Sequence, residues 1–330
     1  MHDLLSKPAE NANVPKPRFD NFAFLMNVSK LVGAESFLLA PGHELRRATP
    51  EETTIIKRLL LHHGGGMLGG FSYPFEYEIG PNWQMTPIAE EEWRYFVIGF
   101  RGSPTTAAQL ENAFCLADME FRIPFTVLRE RASELTEITE WMYNGRLPQM
   151  LEEARWQYGN TTFREVSATE IGYAALLLRQ LQEYDNSLVQ MSRISRQLLD
   201  LEALPLPPIS ESRFLGYFGI LESLLTHRPH PTDPYDSITR QVKKKLTLLD
   251  HRWSIPLDYS AFGEIKPDAV WSKMYAYRSD LAHGDTADFS GELKILGDAN
   301  KALALLRSTV KAVARQALSE PRLIADLRDC

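Results

Sequence analysis

The chain has 330 residues, of which 44% are hydrophobic, and its formal net charge is −7. This composition is typical of a globular protein with room for two ordinary domains, and the negative charge argues against a protein that coats nucleic acid nonspecifically. No apolar run approaches the roughly 20 residues of a membrane-spanning helix, and two distant cysteines, Cys115 and Cys330, do not suggest a disulfide framework. Residues 1–17 are polar and do not resemble a signal peptide. We therefore expect a cytoplasmic protein with a flexible N-terminal tail and no membrane contact.

The N-terminal half contains a hairpin pattern followed by a clear helix start. Residues Ser36 to Arg47 form two short apolar runs that Pro41 and Gly42 interrupt, which predicts a strand, a turn and a second strand. Thr49 to Glu52 then provides a capping box with proline at the first helical position, and the helix is expected to end at His63.

Aromatic and β-branched residues indicate further strands at Phe71 to Ile79, Trp93 to Arg101 and Phe121 to Val127. Thr105 to Asp118 is expected to be a helix. Residues 18–165 are therefore predicted to form a small α+β module. Such a module could sense a ligand or bind a partner, but no motif identifies its ligand.

The C-terminal half is predicted to be helical. From Thr169 to Leu201 apolar residues recur at helical spacing, which predicts one long helix ended by the prolines in 205–208. A second helix should begin near Ser210 or Ser212. It is expected to bury four apolar side chains: Phe214, Phe218, Leu221 and Leu225.

Glu222 lies beside the apolar face of that second helix. A carboxylate in this position is most often partly solvated, but if it points inward it needs a cationic or hydrogen-bonding partner. Arg278 is the partner that we expect, because it lies on the helix that carries the most informative motif.

A proline-rich stretch and a basic helix follow. His227 to Pro234 contains two histidines and one aspartate, but its three prolines and the lack of a fourth ligand favour a connecting loop over a zinc site. Ile238 to Asp250 predicts a helix with four basic residues: Arg240, Lys243, Lys244 and Lys245. Consecutive lysines are usually a solvated face, but in an RNA-binding domain they would be the first candidates for phosphate contacts.

The most informative pattern is an arginine and a histidine separated by four residues. They are Arg278 and His283, in a helix that should begin at Pro267 and end before Gly284. Arginine offers a planar fork of donors to phosphate oxygens, and histidine can transfer a proton near neutral pH. On an ideal helix the two side chains point about 140° apart. The two side chains can form one site in two ways. His283 can turn back at the helix end, or a second copy of the chain can provide the missing residue.

The motif helix and a closing helix are expected to complete an antiparallel bundle of four to five helices. Ser290 is predicted to cap the closing helix. The motif helix should bury Val270, Met274, Tyr277 and Leu281.

Arg58 and His63 have the same spacing as the motif pair. The residues between them include Leu59, Leu60 and Leu61, so this turn is predicted to belong to the core. We interpret His63 as a histidine near a helix end rather than as a catalytic residue.

Ser279 and Asp280 come directly after the arginine, and Gly284 comes after the histidine. In these residues and in the order of the surrounding helices, the C-terminal half resembles the Apea-like group of the HEPN superfamily. The resemblance covers residues 166–330 and implies an all-α helical bundle. It also implies a homodimeric, metal-independent endoribonuclease without a cofactor, of the kind found in toxin, abortive-infection and phage-defence systems. RNA and a second copy of the chain are the partners that it implies.

The resemblance assigns Arg278 and His283 as the catalytic pair, with Ser279 at the polar position after the arginine. We expect Glu222 and Asp280 to support this pair as well. HEPN bundles also occur as noncatalytic dimerisation or ligand-sensing scaffolds, in which the pair would only tie helix ends together. An open site with both residues exposed would favour the enzyme. Burial and mutual hydrogen bonding would favour the scaffold.

Overall fold

The structure is a computed structural model that describes residues 21–63, 73–79, 84–101, 105–119, 121–128, 140–143, 163–202, 210–229 and 236–330. The predicted tail, residues 1–17, lies outside these ranges. The described strands are β1 (Asn21–Leu25), β2 (Val28–Val32), β3 (Ser36–Ala40), β4 (His43–Arg47), β5 (Tyr77–Ile79), β6 (Met85–Pro87), β7 (Phe96–Phe100), β8 (Phe125–Leu128), β9 (Glu140–Tyr143) and β10 (Arg164–Ser167). The α-helices are α1 (Pro50–His63), α2 (Tyr73–Glu76), α3 (Thr105–Leu116), α4 (Ala168–Glu183), α5 (Met191–Glu202), α6 (Glu211–Leu225), α7 (Ile238–Arg252), α8 (Pro267–His283), α9 (Ala299–Ser319) and α10 (Pro321–Asp329). The predicted α+β class is confirmed.

An antiparallel sheet of six strands, in the order β3-β4-β7-β1-β8-β9, forms the centre of the N-terminal half. Alternate side chains of a strand face opposite sides. In β1, Phe22 and Phe24 therefore belong to one buried cluster, and Ala23 and Leu25 belong to another. Helix α1 contributes Leu60 to the first cluster, so it covers that face of the sheet.

The second face of the sheet packs on the helical half. One buried cluster contains Ile98 of β7, Phe114 of α3, Leu178 of α4 and Leu306 of α9. In addition, β10 pairs in parallel with β2 and leads directly into α4. The predicted regions 18–165 and 166–330 therefore share one hydrophobic core.

The predicted hairpin and capping box are present. Strands β3 and β4 pair around Gly42, whose φ of 76° is a conformation that glycine adopts without steric cost. The backbone N–H of Thr49 donates to Glu52 Oε2 at 2.8 Å, and the N–H of Glu52 donates to Thr49 Oγ1 at 3.2 Å. Helix α1 runs to His63, as predicted.

The remaining N-terminal elements differ from the prediction. One predicted strand is partly helical, and the other elements are shorter than expected. The Phe71 to Ile79 stretch, whose first two residues are outside the described ranges, forms the short helix α2 before β5. Strands β7 and β8 begin three and four residues later than expected, at Phe96 and Phe125. Helix α3 ends at Leu116 because the chain turns at Asp118, whose φ is 57°.

The single long helix predicted from Thr169 to Leu201 is wrong, because the chain forms two helices, α4 and α5. Between them, Asp185 accepts hydrogen bonds from the backbone N–H and the hydroxyl of Ser187. Asn186 Oδ1 accepts another from the N–H of Ser192. These short polar side chains compete with the helical hydrogen bonds and turn the chain. The prolines in 205–208 lie outside the described residues.

The start of the closing helix is also different from the prediction. Ser290 donates its hydroxyl to Asp288 within a turn, and the cap of helix α9 is Asp298, eight residues later. The Asp298 carboxylate accepts the N–H of Lys301 at 2.9 Å. Of the described helices, not one combines the length and the apolar character that crossing a membrane requires.

Candidate active site on helix α8

Helix α8 is held by its buried face and by its two ends. Pro267 occupies its first turn, and Gly284 ends it with a φ of 79°. Val270, Met274 and Tyr277 are buried as predicted, while Leu281 is partly exposed. Trp271 is buried as well, whereas Arg278 is partly exposed and His283 is exposed.

Arg278 and Glu222 are in contact, as predicted. Arg278 Nη2 donates to Glu222 Oε2 across 3.4 Å, which joins α8 to α6. The arginine side chain is 38% exposed and the glutamate side chain 17% exposed. A distance of 3.4 Å is long for a charge-assisted bond. The contact orients the guanidinium, and because the arginine side chain is partly exposed, some of its N–H donors still face solvent.

Burial leaves the Glu222 carboxylate incompletely satisfied. Its second oxygen, Oε1, is buried without a hydrogen-bond partner among the described residues, and so is the hydroxyl of Tyr275, one turn before Arg278. Burial raises the pKa of Glu222, and the charge of Arg278 opposes this shift. Burial also raises the pKa of Tyr275, and the charge of Glu222 acts in the same direction. Tyr275 was not predicted as part of the site, since a tyrosine in an apolar stretch is more often core.

His283 is exposed at the last position of α8. In the part of the chain that the structure describes, no hydrogen bond joins His283 to Arg278. Ser279 is exposed, and Asp280 is half-buried and receives the N–H of Gly284 and the N–H of Asp285 at its backbone carbonyl. The structure therefore groups Arg278 with Glu222 and leaves His283 open to solvent on the same helix.

The basic residues of α7 point in different directions. Lys243 Nζ lies 2.7 Å from Asp268 and donates to Ser272, so it is tied to α8. Arg240 and Lys244 are exposed.

Lys245 does not belong to this exposed set. It is only 5% exposed, and its ammonium lies 3.5 Å from the carbonyl of Arg328. Burial lowers the pKa of Lys245. The expectation that Lys245 contacts phosphate is therefore wrong, because its direction on the helix turns it toward α10.

A second charged cluster, which was not predicted, is buried between the two halves of the chain. Glu202 accepts hydrogen bonds from Arg307 Nε at 2.6 Å and from the Tyr217 hydroxyl at 2.8 Å. Lys311 Nζ lies 3.4 Å from Glu202 and donates to Asp118 at 2.9 Å. The side chains of Glu202 and Lys311 are 7% and 1% exposed.

This cluster changes the ionisation of Glu202. Burial alone would raise the pKa of the carboxyl, but the charge of Lys311 and the bonds from Arg307 and Tyr217 outweigh it and lower the pKa to about 2. A buried charge is stable only when it is paired in this way. The sequence contained one sign of this cluster, because Lys311 lies between Val310 and Val313 on the apolar face of α9 and therefore needs a buried anion.

The site has to be interpreted from its own residues. Comparison with protein-family models, with curated proteins and with solved structures finds no match. Within the described residues, no group of three or more His, Cys, Asp or Glu side chains is arranged to hold a metal ion. In the proline-rich stretch, His230 and Asp233 lie outside those residues, and His227 contacts Asp236 and the carbonyl of Arg328.

Proposed function

We propose that this chain is a metal-independent endoribonuclease of the HEPN type. The observation that supports this most directly is the pairing of Arg278 with Glu222, on the same exposed end of α8 that carries His283. An arginine held by a carboxylate is positioned to bind a phosphate, and an exposed histidine is accessible to substrate. The scaffold alternative called for a buried and mutually bonded pair, and the exposure of His283 argues against it.

The proposed reaction is a transesterification within RNA. The 2′-hydroxyl loses its proton to a base and attacks the adjacent phosphorus, the bond to the 5′-oxygen breaks, and that oxygen receives a proton. The products are a 2′,3′-cyclic phosphate and a 5′-hydroxyl. His283 transfers the protons, while Arg278 stabilises the charge of the crowded phosphorane. Ser279 and Asp280 support the pair from the same turn, and the reaction requires no metal or cofactor.

A homodimer is part of this proposal. Residues five positions apart on a helix diverge by about 140°, so a symmetric copy offers the missing group of each site. Arg240, Lys243 and Lys244 of α7 are the proposed contacts for RNA phosphates, with Lys243 exchanging its bond to Asp268 for one to phosphate.

We further propose that the enzyme acts in the cytoplasm as a toxin or in abortive infection and phage defence. The sheet module would then receive the trigger, of phage or cellular origin. This role follows from the resemblance of the motif helix to the HEPN superfamily, and the trigger itself is not specified by any residue.

The deciding experiment compares purified wild-type protein with His283→Ala on cellular RNA, with and without a chelator. We expect wild-type cleavage to survive chelation and His283→Ala to lose it while remaining folded, since proton transfer is typically worth 10²- to 10⁴-fold in rate, as a rough guide. His63→Ala is the matched control, because His63 has the same spacing from an arginine and ends α1. If the wild type cuts no RNA, or cuts equally well without His283, the scaffold function replaces the nuclease.

A further inference from the structure

A cavity of about 550 Å³ lies beyond the C-terminal end of α8. It is open to solvent on one side and is lined by the last two turns of α8, the first turn of α6, the start of α9 and the segment that follows Gly284. Gly284 and Asp285, which immediately follow His283, form part of its wall. The cavity therefore adjoins the proposed catalytic histidine along the chain, and it has the size of a small-ligand pocket.

The floor of this cavity is aromatic. Phe214 and Tyr277 have ring centroids 4.4 Å apart, and Tyr277 and Phe289 have centroids 5.0 Å apart. All three rings line the cavity. Phe214 and Tyr277 are themselves buried, and Phe289, which packs edge-on against Tyr277, is the partly exposed ring on which a planar ligand can lie. Unpaired RNA bases bind proteins by such contacts.

The rim of the cavity is acidic. Glu211 and Asp285 line it, and both are exposed. Glu211 lies close enough to Tyr277 to contribute, after burial, to the raised pKa of that tyrosine. Two carboxylates disfavour a phosphate inside the cavity, but they accept hydrogen bonds from amino groups, as acidic side chains do from cytosine N4.

We propose that this cavity binds the base of a nucleotide next to the scissile phosphate and prefers a base with an exocyclic amino group over uracil. The assignment to RNA substrate rests on the proposed nuclease function, whereas the base site itself rests on the cavity. In this arrangement the base stacks against the partly exposed ring of Phe289. Its amino group bonds to Glu211 or Asp285, and its phosphate stays outside, toward α8.

A second cavity of the same volume provides an internal comparison. It lies between α5 and α6 and is lined by Arg193, Gln197, Asp200 and Ser223, among others, but none of its described lining residues is aromatic. It offers no stacking surface for a base. A substitution there tests whether any loss of binding is specific to the aromatic cavity.

The experiment measures binding rather than cleavage. Full-length His283→Ala protein is titrated with two short single-stranded RNAs that differ only in one cytosine or uracil, and with CMP and UMP. We expect the cytosine RNA to bind about tenfold more tightly than the uracil RNA, because the two bases differ by an amino group against a carbonyl. We also expect it to bind more tightly than CMP.

Two kinds of variant localise the effect. Ala299→Leu should fill the cavity and weaken binding of the cytosine RNA about tenfold, and Ser223→Leu in the other cavity should leave binding unchanged. If Ala299→Leu does not fold, Glu211→Gln and Asp285→Asn keep the shape of the rim and should each reduce the preference for cytosine over uracil.

Several results would overturn the proposal. Equal binding of the two RNAs, or full binding by Ala299→Leu, removes the base site. Binding of CMP as tight as that of the RNA would indicate a site for a free nucleotide instead. Because no arm uses cleavage, a failure of the nuclease function and a failure of the base site give different results.

Discussion

Glu222 holds Arg278 with only one of its two carboxylate oxygens. Oε2 accepts the 3.4 Å bond from Arg278, whereas Oε1 is buried and has no hydrogen-bond partner in the described part of the chain. Folding therefore favours the neutral form of this carboxyl, in agreement with the raised pKa that burial causes. Because burial penalises the charged form of Glu222, this carboxyl is better suited to positioning the arginine than to stabilising the fold.

Substitution of this pair should change catalysis more than stability. Arg278→Lys should reduce the single-turnover cleavage rate roughly 100-fold or more, because a lysine lacks the planar fork. Glu222→Gln should reduce the rate about tenfold with little loss in the free energy of unfolding, since it removes a carboxylate that burial penalises.

Arg322→Lys is the control for the arginine-to-lysine exchange, because Arg322 is exposed, and it should keep the wild-type rate. A wild-type rate for Glu222→Gln would remove the positioning role.

The proposed dimer can be tested by complementation. Light scattering at micromolar concentration should give twice the mass of one chain. If each site takes Arg278 from one protomer and His283 from its partner, an equal mixture of inactive Arg278→Ala and His283→Ala proteins should regain about a quarter of wild-type activity, because half the dimers then contain one intact site. A dimer whose mixture stays inactive would have each pair within one protomer. A fully active monomer would rule out the dimer.

The buried cluster around Glu202 predicts a specific dependence of stability on pH. Its pKa is lowered from 4.5 to about 2 in the folded state, so its stabilising contribution is fully present above about pH 4.5 and is lost as the pH falls toward 2. The contribution is about 3 kcal/mol, from ~1.4 kcal/mol for each pKa unit. Urea unfolding over this pH range measures it.

The matching variant is Glu202→Gln. At pH 7 it should lower the free energy of unfolding by about 3–5 kcal/mol, because Lys311 and Arg307 lose their common anion. Below pH 4.5 the free energies of unfolding of the variant and the wild type should become more similar, because the wild type begins to lose the stabilisation that the ionised Glu202 provides. The exposed Glu264→Gln should show neither effect. An unchanged difference at pH 3 would contradict the assignment.

Tyr217 and Tyr275 should differ in how much stability they lose when their hydroxyl group is removed. Tyr217 donates to Glu202 at 2.8 Å, so Tyr217→Phe should cost about 1–3 kcal/mol in the free energy of unfolding. The hydroxyl of Tyr275 has no such partner within the ranges that the structure describes, so Tyr275→Phe should be neutral to within about 0.5 kcal/mol or slightly stabilising. Urea denaturation of both variants makes the comparison, and an equal loss in the two would show that the Tyr275 hydroxyl is bonded.

Local features of this protein were determined by neighbouring residues and could be predicted. The capping box at Thr49, the cap of α6 at Ser210 and the glycine at 284 that ends α8 each depend on contacts within one turn. The apolar face of α6 follows from helical periodicity, and Phe214, Phe218, Leu221 and Leu225 are all buried. The contact of Arg278 with Glu222 could be predicted because a half-buried carboxylate requires a cation.

Other features depend on how distant segments pack, and only the tertiary structure decided them. The turn at 184–190 follows from side-chain hydrogen bonds that periodicity does not report. Lys245 is buried because α10, more than 70 residues later, packs against its face of α7. The pairing of Glu202 with Lys311 and the cavity beyond His283 join residues from different helices. Burial and charge pairing are properties of these assembled surfaces, so a single sequence indicates the candidates and the packing selects among them.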